Sequence, residues 1–158
     1  LTNSELISIG IIGNINNSIP SFNAPIGLVS GLSDNSFISN VYSSGSVTAM
    51  ANSTGGLIGS TINSTNIMNS YSNVVIVSNG ISGGLVGNLM NNSEITNSFT
   101  AGPVSGNEFV GGLVGQIDSS KIIDSFTFSK VTKTCLTGTF GAFVGSNPSN
   151  SMITNSFR

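Results

Sequence analysis

Apolar and small polar positions alternate along this chain in short bursts, and the bursts recur in a fixed order. The strings are Ile38/Asn40/Tyr42, Ile67/Asn69/Tyr71, Ile95/Asn97/Phe99, Ile122/Asp124/Phe126 and Ile153/Asn155/Phe157, with residues such as Thr96, Ser98 and Thr100 between the named positions. A period of two is that of a strand with one buried face. The alternation therefore predicts strands whose inward face carries the Ile, Asn and aromatic positions. The outward face then carries a hydroxyl grid of Ser70/Ser72, Ser98/Thr100 and Ser125/Thr127. Helix is disfavoured throughout by glycine, asparagine, serine and β-branched residues.

A second marker keeps the same phase. Gly10-Ile11-Ile12-Gly13, Gly56-Leu57-Ile58-Gly59, Gly84-Leu85-Val86-Gly87, Gly112-Leu113-Val114-Gly115 and the looser Ala142-Phe143-Val144-Gly145 are glycine-bracketed apolar tetrapeptides, with a degenerate copy at Gly27-Leu28-Val29-Ser30. The last four stand 28, 28 and 30 residues apart. Two markers in register at this period mean stacked supersecondary units.

Residues 83–110 partition into strands at Gly84–Leu89, Glu94–Thr100 and, more weakly, Pro103–Phe109, broken at Asn91-Asn92-Ser93 and Ala101-Gly102-Pro103. The predicted fold is all-β, a right-handed parallel β-solenoid with about 28 residues and three short strands per rung. Five to six rungs would rise roughly 25 Å at about 4.8 Å each. Residues 1–158 form one domain, with the best repeats at 55–82, 83–110 and 111–140.

Stacking turns sequence columns into ladders. Tyr42, Tyr71, Phe99, Phe126 and Phe157 are expected as an aromatic stack inside the coil. Asn40, Asn69, Asn97, Asp124 and Asn155 are expected as a structural ladder whose side chains satisfy corner backbone groups and each other. Asp124 thereby reads as a ladder member rather than as a catalytic acid. The Leu column (Leu28, Leu57, Leu85, Leu113, Phe143) alternates with the Val column (Val29, Ile58, Val86, Val114, Val144). One of the two should therefore face outward as an apolar stripe that something covers.

Composition narrows the function classes. With 38% apolar and 6% charged residues the chain is not of the disordered kind, and its net charge of −2 offers no field for a phosphate backbone. Its four basic residues, Lys121, Lys130, Lys133 and Arg158, all fall in the last quarter. Nucleic acid is thus not an expected partner. No apolar run reaches the roughly 18 to 20 residues of a membrane span, so no membrane insertion is expected. Cys135 has no partner for an intrachain disulfide and reads as a small apolar filler in a strand. Without histidine and with scattered acids at Glu5, Asp34, Glu94, Glu108, Asp118 and Asp124, the chain holds no zinc set. The position two after each closing glycine is Thr61, Leu89, Ile117 or Asn147 rather than the Asp of calcium-binding nonapeptides. No cofactor is implied.

Gly-Leu-hydrophobic-Gly recurring at this interval resembles the GLUG repeat family, best over residues 55–145 and loosely over 9–54. The resemblance implies large extracellular or cell-surface proteins, bacterial adhesins among them, in which solenoid repeats serve as stalk or scaffold. It brings no catalytic residues. The function expected is a non-catalytic structural or adhesive segment, with fibre formation in view. The alternatives are an ice-binding hydroxyl face or a glycan-binding face, and more distantly a polysaccharide-cleaving β-helix enzyme using Asp118 and Asp124. Carbohydrate is the external partner to expect.

Acceptor sequons for N-glycosylation stand at Asn16, Asn52, Asn63 and Asn91, Asn147 being disqualified by Pro148. Asn63 and Asn91 occupy one turn in adjacent repeats. Thr2-Asn3-Ser4 matches Thr154-Asn155-Ser156, and neither end carries a polar cap. The expectation is a stretch of something longer, or subunits associating head-to-tail, with the Val column as a lateral contact.

Overall fold

The computed structural model describes residues 1–21, 24–135, 137–149 and 151–158, with the side chains of residues 19–21 excepted. Every element among them is a strand, and every strand pairing is parallel. The chain is a β-solenoid of five rungs, each about 28 residues long.

Four sheets run along the coil, so a rung has four strand stations where three were expected. In chain order the third rung passes through Asn66–Met68, Tyr71–Ser78, Ile81–Gly83 and Val86–Met90. These define the first to fourth sheets. A sixth strand, Met152–Thr154, extends the first sheet alone. The predicted strand Glu94–Thr100 is in fact two, Glu94–Thr96 and Phe99–Thr100, because Asn97 takes the left-handed conformation (φ 48°) and turns a corner between them.

That corner recurs and reverses the expected parity. Asn40, Asn69, Asn97, Asp124 and Asn155 all have φ between 47° and 55°. A left-handed residue breaks strand alternation, so Ile95 points in, Asn97 out, Ser98 in, Phe99 out and Thr100 in. Asn and Asp reach this region at the least cost after glycine. Thirteen non-glycine described residues have positive φ, and ten are Asn or Asp. Conformation, rather than amide chemistry, accounts for the asparagine column.

The core lies between the sheets in two clusters. The larger joins the first and fourth sheets through columns such as Ile38, Ile67, Ile95 and Ile122, and Ile58, Val86 and Val114. The smaller joins the second and third through Val47, Val74, Ile76, Val104 and Val110. The Leu and Val columns both point into the core, fully buried in the middle rungs and half-buried at Leu28, Val29, Phe143 and Val144, against the expectation that one faces out. Leu85 sits in the bend between Ile81–Gly83 and Val86–Met90, where strand alternation does not apply. No apolar stripe remains there for a lateral contact.

Two marker positions were misplaced by pattern alone. Gly10-Ile11-Ile12-Gly13 belongs to the second sheet, where Gly10 pairs with Tyr42, and not to the glycine column. The first true member begins at Gly27, which pairs with Gly55, so that Val29 rather than Leu28 takes the Leu57 position. Cys135 lies half-buried in the bend after Val131–Lys133 instead of in a strand, with its Sγ 3.4 Å from Thr137 Oγ1.

Candidate functional site

The outer corner between the first and second sheets carries the aromatic column. Tyr42, Tyr71, Phe99, Phe126 and Phe157 stack with centroids 5.0 to 5.6 Å apart and planes within 14° of parallel. The stack exists as predicted, but it is on the surface: Tyr42, Tyr71 and Phe157 are exposed and the other two half-buried. Each ring covers its neighbour's face, so solvent meets mainly ring edges and the tyrosine hydroxyls. The face of Tyr42 rests on Gly10, where a Cβ would lie 2.0 Å from the ring. At the other end Phe157 is 62% exposed, and Phe128, 69% exposed, meets Phe126 edge-on at 5.3 Å.

The hydroxyl grid expected on the surface lies inside. Ser70, Ser72, Ser98, Thr100, Ser125 and Thr127 are all buried. The face on which ice binding would depend is therefore not on the surface. Ser129 Oγ donates to Thr100 Oγ1, which lies 2.7 Å from Thr127 Oγ1, whereas the Ser43 and Ser72 hydroxyls have no hydrogen-bond partner among the described residues.

What the grid does instead is hold rungs together. The backbone N–H of Val41 donates to Ser70 Oγ, Ser70 to Ser98, Ser98 to Ser125 and Ser125 to Ser156, all at 3.1 or 3.2 Å. Each of these hydroxyls donates in turn to the carbonyl two residues before it. A second ladder runs through Ser4, Ser36, Thr65, Ser93, Ser120 and Ser151. The corner backbone groups assigned to the asparagines are thus satisfied by the residues after them, and the five asparagine-column side chains are exposed. Sequence reasoning missed both ladders. The signal was there in the Asn-Ser pairs at Asn3, Asn35, Asn69, Asn92, Asn97 and Asn155.

Truncating one rail tests this role. Ser98→Ala leaves the Ser70 N–H unpaired in a buried corner, at an expected cost of about 1–3 kcal/mol measured by urea unfolding. A variant as stable as the parent would remove the ladder's claim.

Asn3 belongs with Asn35 at the corner before the first sheet, whereas Asn155 belongs with Asn97 at the corner after it. The two ends are therefore out of phase by the width of that sheet, and the phase match expected for head-to-tail subunits is absent. Asp118 and Asp124 occupy separate columns, with Met90 beside Asp118 and the other described carboxylate of that column, Asp34, three rungs away. The Ser149 hydroxyl, and after it Ser119, hold the Asp118 carboxyl below its usual range. This lowered value means the contact is present at neutral pH and is lost as pH falls through it.

All four sequon asparagines are exposed. The amide of Asn63 donates to Asp34 Oδ1 at 2.9 Å. Asn52 borders a groove where the third and fourth sheets meet. No protein-family model matches the chain, and no curated protein matches it.

Proposed function

We propose that the chain is a structural and adhesive segment of an extracellular or cell-surface protein, of the GLUG-repeat kind, and that it works without catalysis. The observation that supports this most is how its side chains are used. Inward hydroxyls hold rungs together, corner asparagines bend the chain, and the surface aromatics stack on one another along the coil. Repetition of this sort builds a stiff rod whose length is set by rung number.

Carbohydrate is the ligand class favoured by the outer edge, where the exposed Tyr42 and Tyr71 stand next to exposed Asn40 and Asn69. The rings cover one another's faces, so contacts along the stack would be hydrogen bonds to hydroxyl and amide groups.

Beads coated with the purified chain test the reading. Retention on immobilised polysaccharides or cell layers above that of uncoated beads is expected, with loss of retention in Tyr71→Ala. Absence of retention on every surface tried, or release of reducing sugar from a polysaccharide, overturns it.

A further inference from the structure

We propose that Asn52 carries an N-linked glycan whose first N-acetylglucosamine lies in the groove between the third and fourth sheets. Two features meet at this residue. Asn52-Ser53-Thr54 is an acceptor sequon, and Asn52 is exposed at the lip of a groove of about 400 Å³. Leu32, Ile81 and Met90 give the groove apolar walls, while Ser60 and Asn88 add a hydroxyl and an amide.

That lining suits an acetamido sugar, whose methyl and ring C–H groups take the apolar walls and whose hydroxyls and acetamide take the polar ones. Asn88 is under-used as it stands. Its Nδ2 faces the Met90 sulfur, a weak acceptor, at 3.2 Å, and its buried Oδ1 has no partner among the described residues. Turning this amide toward the groove gives it a sugar hydroxyl or acetamide to bind. By contrast, Asn16 stands on the outer face of Gly10–Ser21, and Asn63 and Asn91 sit at left-handed corners.

The sequon hydroxyl also dates the modification. Thr54 is fully buried, its Oγ1 2.9 Å from Ser78 Oγ, so a transferase reaches it only before the rung closes. In the transfer a bond forms between Asn52 Nδ2 and the sugar C1 as the C1–O bond to a lipid-linked diphosphate donor breaks. The diphosphate leaves with the electron pair, and one amide proton passes to the transferase. The site rests on the extracellular reading for its access to that donor, but not on adhesion.

The test is secretion of the 158-residue chain behind an added leader from a eukaryotic cell that N-glycosylates, as wild type, Asn52→Gln and Asn16→Gln. Unmodified wild type from a bacterium serves as a second reference. Glycopeptide mass spectrometry is expected to find Asn52 occupied. Trimming to a single N-acetylglucosamine should leave Tm unchanged, whereas Asn52→Gln and the bacterial chain should melt about 2–4 °C lower. Asn16→Gln, whose backbone is extended, should not, and Ile81→Ser should erase the difference. An unmodified Asn52, or an Asn52→Gln that melts with the glycosylated chain, overturns the proposal. Because the leader is supplied, the outcome is independent of native location, and a failed adhesion assay leaves the site standing.

Discussion

Gly83→Ala is expected to cost about 3 kcal/mol or more, a large part of the roughly 5–15 kcal/mol that holds a domain folded. A Cβ at Gly83 would lie 1.9 Å from the Val86 carbonyl oxygen, 2.6 Å from the Gly115 nitrogen and 2.9 Å from the Val114 Cα. All three are backbone atoms, one in its own corner and two in the next rung, so no side-chain rotation relieves the clash. The third and fourth sheets would have to separate, and with them the close approach that the glycine column permits. Thermal melts followed by circular dichroism measure the loss. Gly10→Ala is the control, because the atoms nearest its new methyl belong to the Tyr42 side chain rather than to backbone, so relief costs at most the Tyr42 end of the ring stack. Equal melting of the two variants would mean that the corner is not built as described.

Ile95→Ala should remove about 2–5 kcal/mol, the usual cost of deleting a fully buried aliphatic side chain and leaving a cavity. Ile153→Ala, in the same column, should cost about 1 kcal/mol or less, since Ile153 is already 39% exposed while Ile95 is fully covered. The contrast follows from stacking: a middle residue is roofed by rungs on both sides, an end residue by one. Urea unfolding gives the two values. Amide hydrogen exchange adds a spatial signature, with protection in Ile95→Ala falling first in Asn66–Met68 and Lys121–Ile123, its pairing partners. Similar costs at both positions would defeat this account of the core.

Much of the fold was legible because repetition supplies its own check. The columns headed by Ile38, Tyr42 and Leu57 predicted parallel pairing at about 28 residues, and the register follows them. What pattern reading lost was orientation. It carried one alternation from Ile95 to Thr100, although Asn97 sits at the place where a left-handed residue resets which side is inward. From that slip came the buried aromatics, the outward hydroxyls and the missing fourth sheet. Gly10 misled for a different reason: glycine is also used where a ring needs room, here that of Tyr42, so a Gly-x-x-Gly string does not by itself identify the column. The functional surface was harder still, since exposed ring edges and a shallow groove arise from residues distant in sequence.

The parallel ladders that make each rung a copy of its neighbour also decide how the coil would respond to tension. Pulled from its two ends, a parallel solenoid is loaded one terminal strand at a time, so hydrogen bonds part in sequence rather than together. Each rung given up exchanges about 4.8 Å of coil height for a free segment of about 28 residues, which extends to roughly 95 Å. Such a coil yields gradually at modest load while its remaining rungs keep their register. It would thus act as an extensible tether whose reserve of length grows by one segment for each rung in the stack.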